Sequence, residues 1–190
     1  MIKIKLFPKI IGFFENKDYK KIQKNLINVC YDINKVNNSG GNNWISKTYN
    51  TLGTKNLYNI KDFHILLNWI DKKILEYCDE LKISINIKEK NAWFNIYKKN
   101  DYQEYHTHPN SKISAIYYLK GEKESSKTYF TDFNFSNVKF DIKEYTEENS
   151  YEWNVPFSEG VLLVFRSDLL HCVEKHNLDS DRISIAINYS

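Results

Sequence analysis

Two long segments of the chain carry apolar residues at helical spacing, and the remainder alternates. Between Asp18 and Val36, the residues Ile22, Leu26, Val29, Cys30 and Ile33 recur every three or four positions, which lines them up on one stripe of an amphipathic helix. The run Asn37-Asn38-Ser39-Gly40-Gly41 then breaks the pattern. A second stripe of Phe63, Leu66, Leu67, Ile70, Ile74, Cys78 and Leu81 predicts a helix over 61–81. Ahead of both, Ile2 to Leu6 alternates as an edge strand does. Beyond the second helix the period changes to two. Ala92–Tyr97, Ile113–Leu119, Thr128–Phe133, Val138–Ile142, Val161–Phe165 and Arg182–Asn188 are rich in β-branched and aromatic residues and bounded by turn signals. Helices followed by a run of strands is an α+β pattern, and a sheet that closes into a sandwich or barrel buries such strands economically.

No internal repeat or low-complexity linker interrupts this order, and a chain of 190 residues suits one core. A single domain over 1–190 is therefore expected. The 27 basic and 24 acidic residues leave a formal charge of +3, too small to imply a nucleic-acid partner. Lysine clusters such as Lys20, Lys21 and Lys24 read as a solvated helix face. Only Arg166 and Arg182 carry guanidinium groups, the chemistry suited to gripping a carboxylate or phosphate with a planar fork. Cys30, Cys78 and Cys172 are odd in number and widely spaced, so neither a disulfide framework nor a Cys-x-x-Cys metal site is indicated. The short apolar runs of the first 14 residues, broken by Pro8 and Gly12, suit neither a signal peptide nor a membrane span. A cytoplasmic protein with no membrane partner is expected.

The candidate chemistry centres on Tyr105-His106-Thr107-His108-Pro109. In an extended chain, residues two apart point to the same face, so both imidazoles can reach one metal ion. Alone, this pair is equally compatible with two surface histidines in a loop. His171, after the strand Val161–Phe165 and a short loop, supplies the distant third ligand that a non-haem iron site requires. His176 lies among Asn177, Asp179 and Asp181 and reads as exposed. His64 reads as structural.

In the last strand the isoleucines 183, 185 and 187 share one face, while Arg182, Ser184, Ala186 and Asn188 share the other. An ordinary surface strand gives the same alternation. Yet Arg182 follows His171 by eleven residues, a spacing suited to a turn and return on the neighbouring antiparallel strand, which would aim the guanidinium at the metal pocket. A buried arginine needs an anion, and a dicarboxylate held by the metal at one end offers one at the other.

Together, Trp93-Phe94-Asn95, the segment Tyr102 to Pro109, Ser111, Ser114, Tyr117-Tyr118-Leu119, Glu159 to Phe165, His171 and Arg182-Ile183-Ser184 resemble the 2-oxoglutarate and Fe(II)-dependent oxygenase superfamily. More narrowly they resemble a group of small 2OG-Fe(II) oxygenases of marine bacteria and their phages, as does Ser39-Gly40-Gly41 with Trp44 and Ser46 upstream. The resemblance implies a double-stranded β-helix, or jelly roll, that binds Fe(II) and 2-oxoglutarate, with Arg182 and Ser184 anchoring the cosubstrate. It implies a dioxygenase (hydroxylase) reaction in which O2 and 2-oxoglutarate yield succinate and CO2 while a C–H bond of a peptide or small-molecule substrate is hydroxylated. Asn95 and Tyr118 are candidates for hydrogen bonds to 2-oxoglutarate, although Tyr118 could equally pack with its hydroxyl satisfied. Trp93, Tyr97, Tyr102 and Arg166 are candidates for the substrate mouth.

One position departs from the superfamily. Its commonest ligand set is His-x-Asp/Glu followed by a distant His, whereas His108 stands here in place of the carboxylate. Three neutral imidazoles leave the ion its full +2 charge, which a 2-oxoglutarate dianion would balance; imidazole also suits zinc and copper. Asp132 is the leading substitute carboxylate, ranked behind the set His106, His108 and His171. Two competing readings stay open: a cupin-like metal protein or isomerase with no use for 2-oxoglutarate, and a jelly-roll interaction protein with unligated histidines.

Overall fold

The computed structural model describes residues 2, 4, 7–40, 44–132, 141–146 and 148–190. Its elements follow in the order β1 (Ile11–Glu15), α1 (Tyr19–Val36), β2 (Tyr49–Asn50), α2 (His64–Glu80), β3 (Lys90–Tyr97), β4 (Gln103–His106), β5 (Ile113–Lys120), β6 (Thr128–Thr131), β7 (Glu152–Val155), β8 (Val161–Arg166), β9 (Leu170–Val173) and β10 (Arg182–Tyr189). Both helices run where the apolar stripes predict. α1 stops as Asn37 turns to extended backbone. α2 begins after a short 3-10 turn over Lys61–Phe63. It ends in a left-handed Lys82 (φ 55°), with Ile83 N–H donating to the Cys78 carbonyl and Lys82 N–H to that of Asp79. That pair of bonds is the Schellman pattern, which satisfies carbonyls the helix leaves open.

The strands form two antiparallel sheets, a larger one in the order β1-β8-β5-β10-β3-β2 and a smaller one in the order β4-β9-β6-β7. Side-chain alternation divides the larger sheet cleanly between two cores. Phe94, Ile96, Tyr117, Leu162, Val164 and the three isoleucines of β10 pack with Leu26, Cys30, Leu66, Ile70 and Ile74 of the helices. Ile116, Tyr118, Val161, Leu163 and Phe165 point the other way and meet Phe130 of the smaller sheet. Both faces of β8 are therefore buried, which explains why Val161–Phe165 is a continuous apolar run. The architecture is a jelly roll whose larger sheet is backed by two helices. Gly12 lets β1 pass close to α2, since a Cβ there would lie 2.7 Å from the Tyr77 ring.

Several strand expectations need correcting. In the segment Ile2 to Leu6, residues 3, 5 and 6 lie outside the described residues, and Ile2 and Ile4 are exposed and not in a strand. The edge strand is Ile11–Glu15. Of Val138–Ile142, residues 138–140 lie outside the described residues, and Asp141 and Ile142 are not in a strand. Phe133 also lies outside them. β9 and β10 are not sheet neighbours: β9 pairs with β4 and β6, and β10 with β3 and β5. The eleven-residue spacing thus carries the chain from one sheet to the other across the sandwich. Among the described residues no helix is long and apolar enough to cross a membrane.

Candidate metal centre and anion pocket

His106 and His171 stand directly opposite each other on β4 and β9. The pairing is irregular: Gln103 faces Val173 and His106 faces His171, so three steps on β4 match two on β9. An extra residue of this kind re-aims side chains. Here it brings both Gln103 and His106 to the cavity. His108 lies just past β4, tied by its N–H to the Ser167 carbonyl at 2.9 Å. The three imidazoles offer ligand atoms that all lie within 4.8 Å of one another, and their ring centroids are 4.2, 5.0 and 5.2 Å apart.

Two of the rings are oriented by backbone. His106 Nδ1 donates to the Glu104 carbonyl at 2.7 Å and His171 Nδ1 to the Leu169 carbonyl at 2.9 Å. Each bond fixes the proton on Nδ1 and leaves the Nε2 lone pair for an ion, the usual outer support of a metal-bound histidine. Burial pushes the pKa of all three rings down, with repulsion between the rings adding to it at His108 and His171; His108 is pushed down to about 3. The cluster is therefore a set of neutral nitrogen donors at neutral pH, and this donor set fits Fe(II).

The depressed pKa values predict how the metal-free protein responds to acid. Unfolded imidazoles titrate near 6.5 and these folded ones lower, so between the two values the unfolded chain binds more protons and stability falls as pH falls. For each ring that stays neutral in the folded state, the step from pH 7 to 5.5 costs about 1 kcal/mol. Denaturant titration of metal-free protein at the two pH values measures this; equal stabilities would contradict it.

The cavity beside the cluster lies between the two sheets and is lined by Trp44, Trp93, Asn95, Tyr97, Gln103 and Ser184, among others. Trp44 sets its edge against His106 at 5.0 Å and Trp93 packs against His108 at 6.0 Å. Trp44 leads a segment fastened to β4: the Glu104 carboxylate accepts the N–H groups of Ile45 and Ser46 at 2.5 and 3.0 Å. Although burial opposes its charge, these amides and the nearby His106 hold the Glu104 pKa below its ordinary value.

Arg182 is fully buried. Its Nε donates to the Ser126 carbonyl at 3.1 Å and its Nη1 to Ser184 Oγ at 3.2 Å, while Nη2 has no partner. The rings of Tyr97, Tyr118 and Phe157 surround the guanidinium at 4.7, 5.3 and 5.2 Å. Phe157 in turn packs against Gly121, where a Cβ would come within 2.6 Å of its ring. No carboxylate among the described residues forms an ion pair with Arg182. A buried guanidinium with a donor unmet is the counterpart that a bound carboxylate would fit. Asn95, opposite Ser184 in register, lines the same cavity. Tyr118 is buried and donates its hydroxyl to Thr128 Oγ1 at 2.8 Å.

Four candidates fall elsewhere. Asp132, the substitute carboxylate, follows β6, is ion-paired to Lys9 at 2.5 Å and does not join the imidazole cluster. Arg166, at the end of β8, is exposed and paired with Asp168 at 2.7 Å, outside the cavity. The Tyr102 side chain is also outside the lining; its carbonyl accepts hydrogen bonds from the Ser46 and Thr48 hydroxyls. His176 is fully buried rather than exposed, because its backbone bonds Asn100 and Asp101 and both ring nitrogens find partners. Gln103 and Asn50, also in the lining, carry no motif that would single them out in the sequence.

Solved structures share this fold. A prolyl-4-hydroxylase from Pseudomonas putida superposes with a TM-score of 0.67 at 14% identity, covering 95% of this chain and 92% of its own. A prolyl hydroxylase from Trichoplax adhaerens, in complex with a hypoxia inducible factor peptide fragment, gives 0.65 at 12% identity, covering 94% and 82%. HygX from Streptomyces hygroscopicus, with nickel and 2-oxoglutarate bound, gives 0.63 at 12%, covering 96% and 82%. No curated protein matches the chain. The family described as "Putative 2OG-Fe(II) oxygenase" matches residues 91–188, more than half of the sequence and all of the imidazole and guanidinium positions above, and the chain belongs to that family, with Fe(II) and 2-oxoglutarate as its cofactors.

Proposed function

We propose that the protein is a dioxygenase that hydroxylates a C–H bond of a peptide or small-molecule substrate, consuming O2 and 2-oxoglutarate and releasing succinate and CO2. The observation that carries this reading is the buried, unpaired guanidinium of Arg182, joined through Ser184 to the cavity that the three imidazoles line. Bound iron would supply the redox chemistry that couples oxidation of 2-oxoglutarate by O2 to attack on the substrate.

The chain's own residues divide the remaining work. His106, His108 and His171 hold the ion through neutral nitrogens and leave coordination positions open. Arg182 and Ser184 take the far carboxylate of 2-oxoglutarate, which fixes the direction in which it lies in the cavity. Asn95 is placed to donate to the cosubstrate. Tyr118, with its proton on Thr128, serves as a wall of the guanidinium box. Trp44, Trp93 and Tyr97 cover the imidazoles and exclude water, so substrate enters against aromatic surface. A cupin-like isomerase would need the imidazoles but would leave the guanidinium without a function.

The test is turnover of 2-oxoglutarate to succinate by Fe(II)-loaded protein under air, first without substrate and then with panels of peptides and small metabolites screened for a gain of one oxygen. Succinate above the metal-free control, stimulated by one panel member, is the expected result. Metal-loaded, folded protein that neither binds nor consumes 2-oxoglutarate would favour the isomerase reading.

A further inference from the structure

Two buried side-chain polar atoms among the described residues lack any hydrogen-bond partner, and they are neighbours. One is Arg182 Nη2 and the other is Ser126 Oγ; the two residues are joined by the bond from Arg182 Nε to the Ser126 carbonyl. An unmet buried donor costs desolvation without return, so native proteins contain few of them. Two at one spot mark the place of an absent polar ligand.

The backbone around Ser126 is held from several sides. Its N–H donates to Nδ1 of the buried His176 at 3.4 Å, and His176 Nε2 donates to the Ser180 carbonyl at 2.7 Å. The next residue, Lys127, donates its N–H to the Glu174 carboxylate at 2.8 Å, and Thr128 accepts the Tyr118 hydroxyl. The hydroxyl is thus presented from a fixed backbone and is 3% exposed at the level of the residue.

We propose that Ser126 donates its hydroxyl proton to the far carboxylate of 2-oxoglutarate, alongside Nη2 of Arg182. This rests on the cosubstrate reading above and extends it to a residue outside the Arg-x-Ser pair of β10. A carboxylate has two oxygens and about four acceptor positions, enough for Arg182 Nη2 and Ser126 Oγ together. His176 acts as a positioning residue, setting Ser126 through its main chain. The arrangement selects a 2-oxo acid that ends in a carboxylate, because any neutral end group would leave the guanidinium and the hydroxyl unmet.

Calorimetric titration of the full chain loaded with nickel, which stands in for iron without turnover, separates the possibilities. Ser126→Ala is expected to weaken 2-oxoglutarate binding about tenfold, as the loss of a hydrogen bond to a charged group does. Binding of 2-oxopentanoate, which lacks the far carboxylate, should not change. The metal-free variant should melt no lower than wild type, since the hydroxyl it removes is unpaired there. Ser126→Cys, which keeps the volume but donates weakly, should behave alike and serves if the alanine variant fails to fold. Wild-type affinity in Ser126→Ala beside a weakened Arg182→Met overturns the proposal and leaves the Arg182 anchor standing. Wild-type affinity in both variants overturns the anchor and the proposal with it. A lower melting temperature in metal-free Ser126→Ala, with 2-oxoglutarate affinity intact, would make the hydroxyl structural.

Discussion

Alanine in place of His171 is expected to remove metal binding and turnover together. His171 is 2% exposed and faces the other two imidazoles across the β4–β9 pair, so no water-filled route offers the ion a replacement ligand of equal strength. Loss of a residue that merely orients a ligand weakens metal sites about 10–100-fold, and loss of the ligand itself should exceed that. The ring also packs against Phe165, with centroids 4.8 Å apart, and its removal leaves a cavity. His171→Asn, closer in volume, therefore accompanies the alanine variant. Metal content of the folded proteins by elemental mass spectrometry decides the matter. Full occupancy in either variant would show that the ion is held elsewhere.

The Arg182 side chain should matter as much to the cosubstrate and not at all to the metal. A charge left facing an empty site when its partner is truncated costs roughly 2–5 kcal/mol in complexes of charged groups, so 2-oxoglutarate affinity in Arg182→Ala should fall at least about tenfold. Lysine should recover only part of this, because a point charge cannot reproduce the planar fork. In Arg182→Met the ligand-free fold should keep its stability, since replacing a buried unpaired charge by an apolar group of similar length removes a desolvation cost. Titrating 2-oxoglutarate into anaerobic Fe(II)-loaded protein and following its charge-transfer absorption gives the affinities. An unchanged affinity in a folded variant would remove Arg182 from the site.

How far these features can be read from the residues depends on whether they are local. The two helices and β3, β5, β8 and β10 are legible because each keeps one period over its length, and the division of β10 into an isoleucine face and a polar face survives intact in the fold. The strands of the smaller sheet are four residues each, too short to display alternation, and in β4 the extra residue breaks it. His176 is misread for a different reason. Polar neighbours suggest exposure, but its burial is decided by bonds to Asn100 and Asp101, some 75 residues earlier in the chain. Arg166 sits at the end of β8 beyond the last buried position, so its guanidinium leaves the sandwich. Ser126 carries no signal in the run Glu122 to Lys127, because its neighbourhood is assembled wholly by tertiary contacts.

The opposition of His106 and His171 across β4 and β9 has a consequence for assembly. Side chains alternate along a strand, so a slip of β9 by a single residue would bring Leu170 or Cys172 to the station of His171 and turn the imidazole to the outer surface. Correct pairing of these two strands and the capacity to hold an ion are thus one condition. A misregistered chain is unable to close the clasp, and the ion, by binding only the correctly zipped sheet, draws the population toward it and acts as a proofreader of the sheet's own assembly.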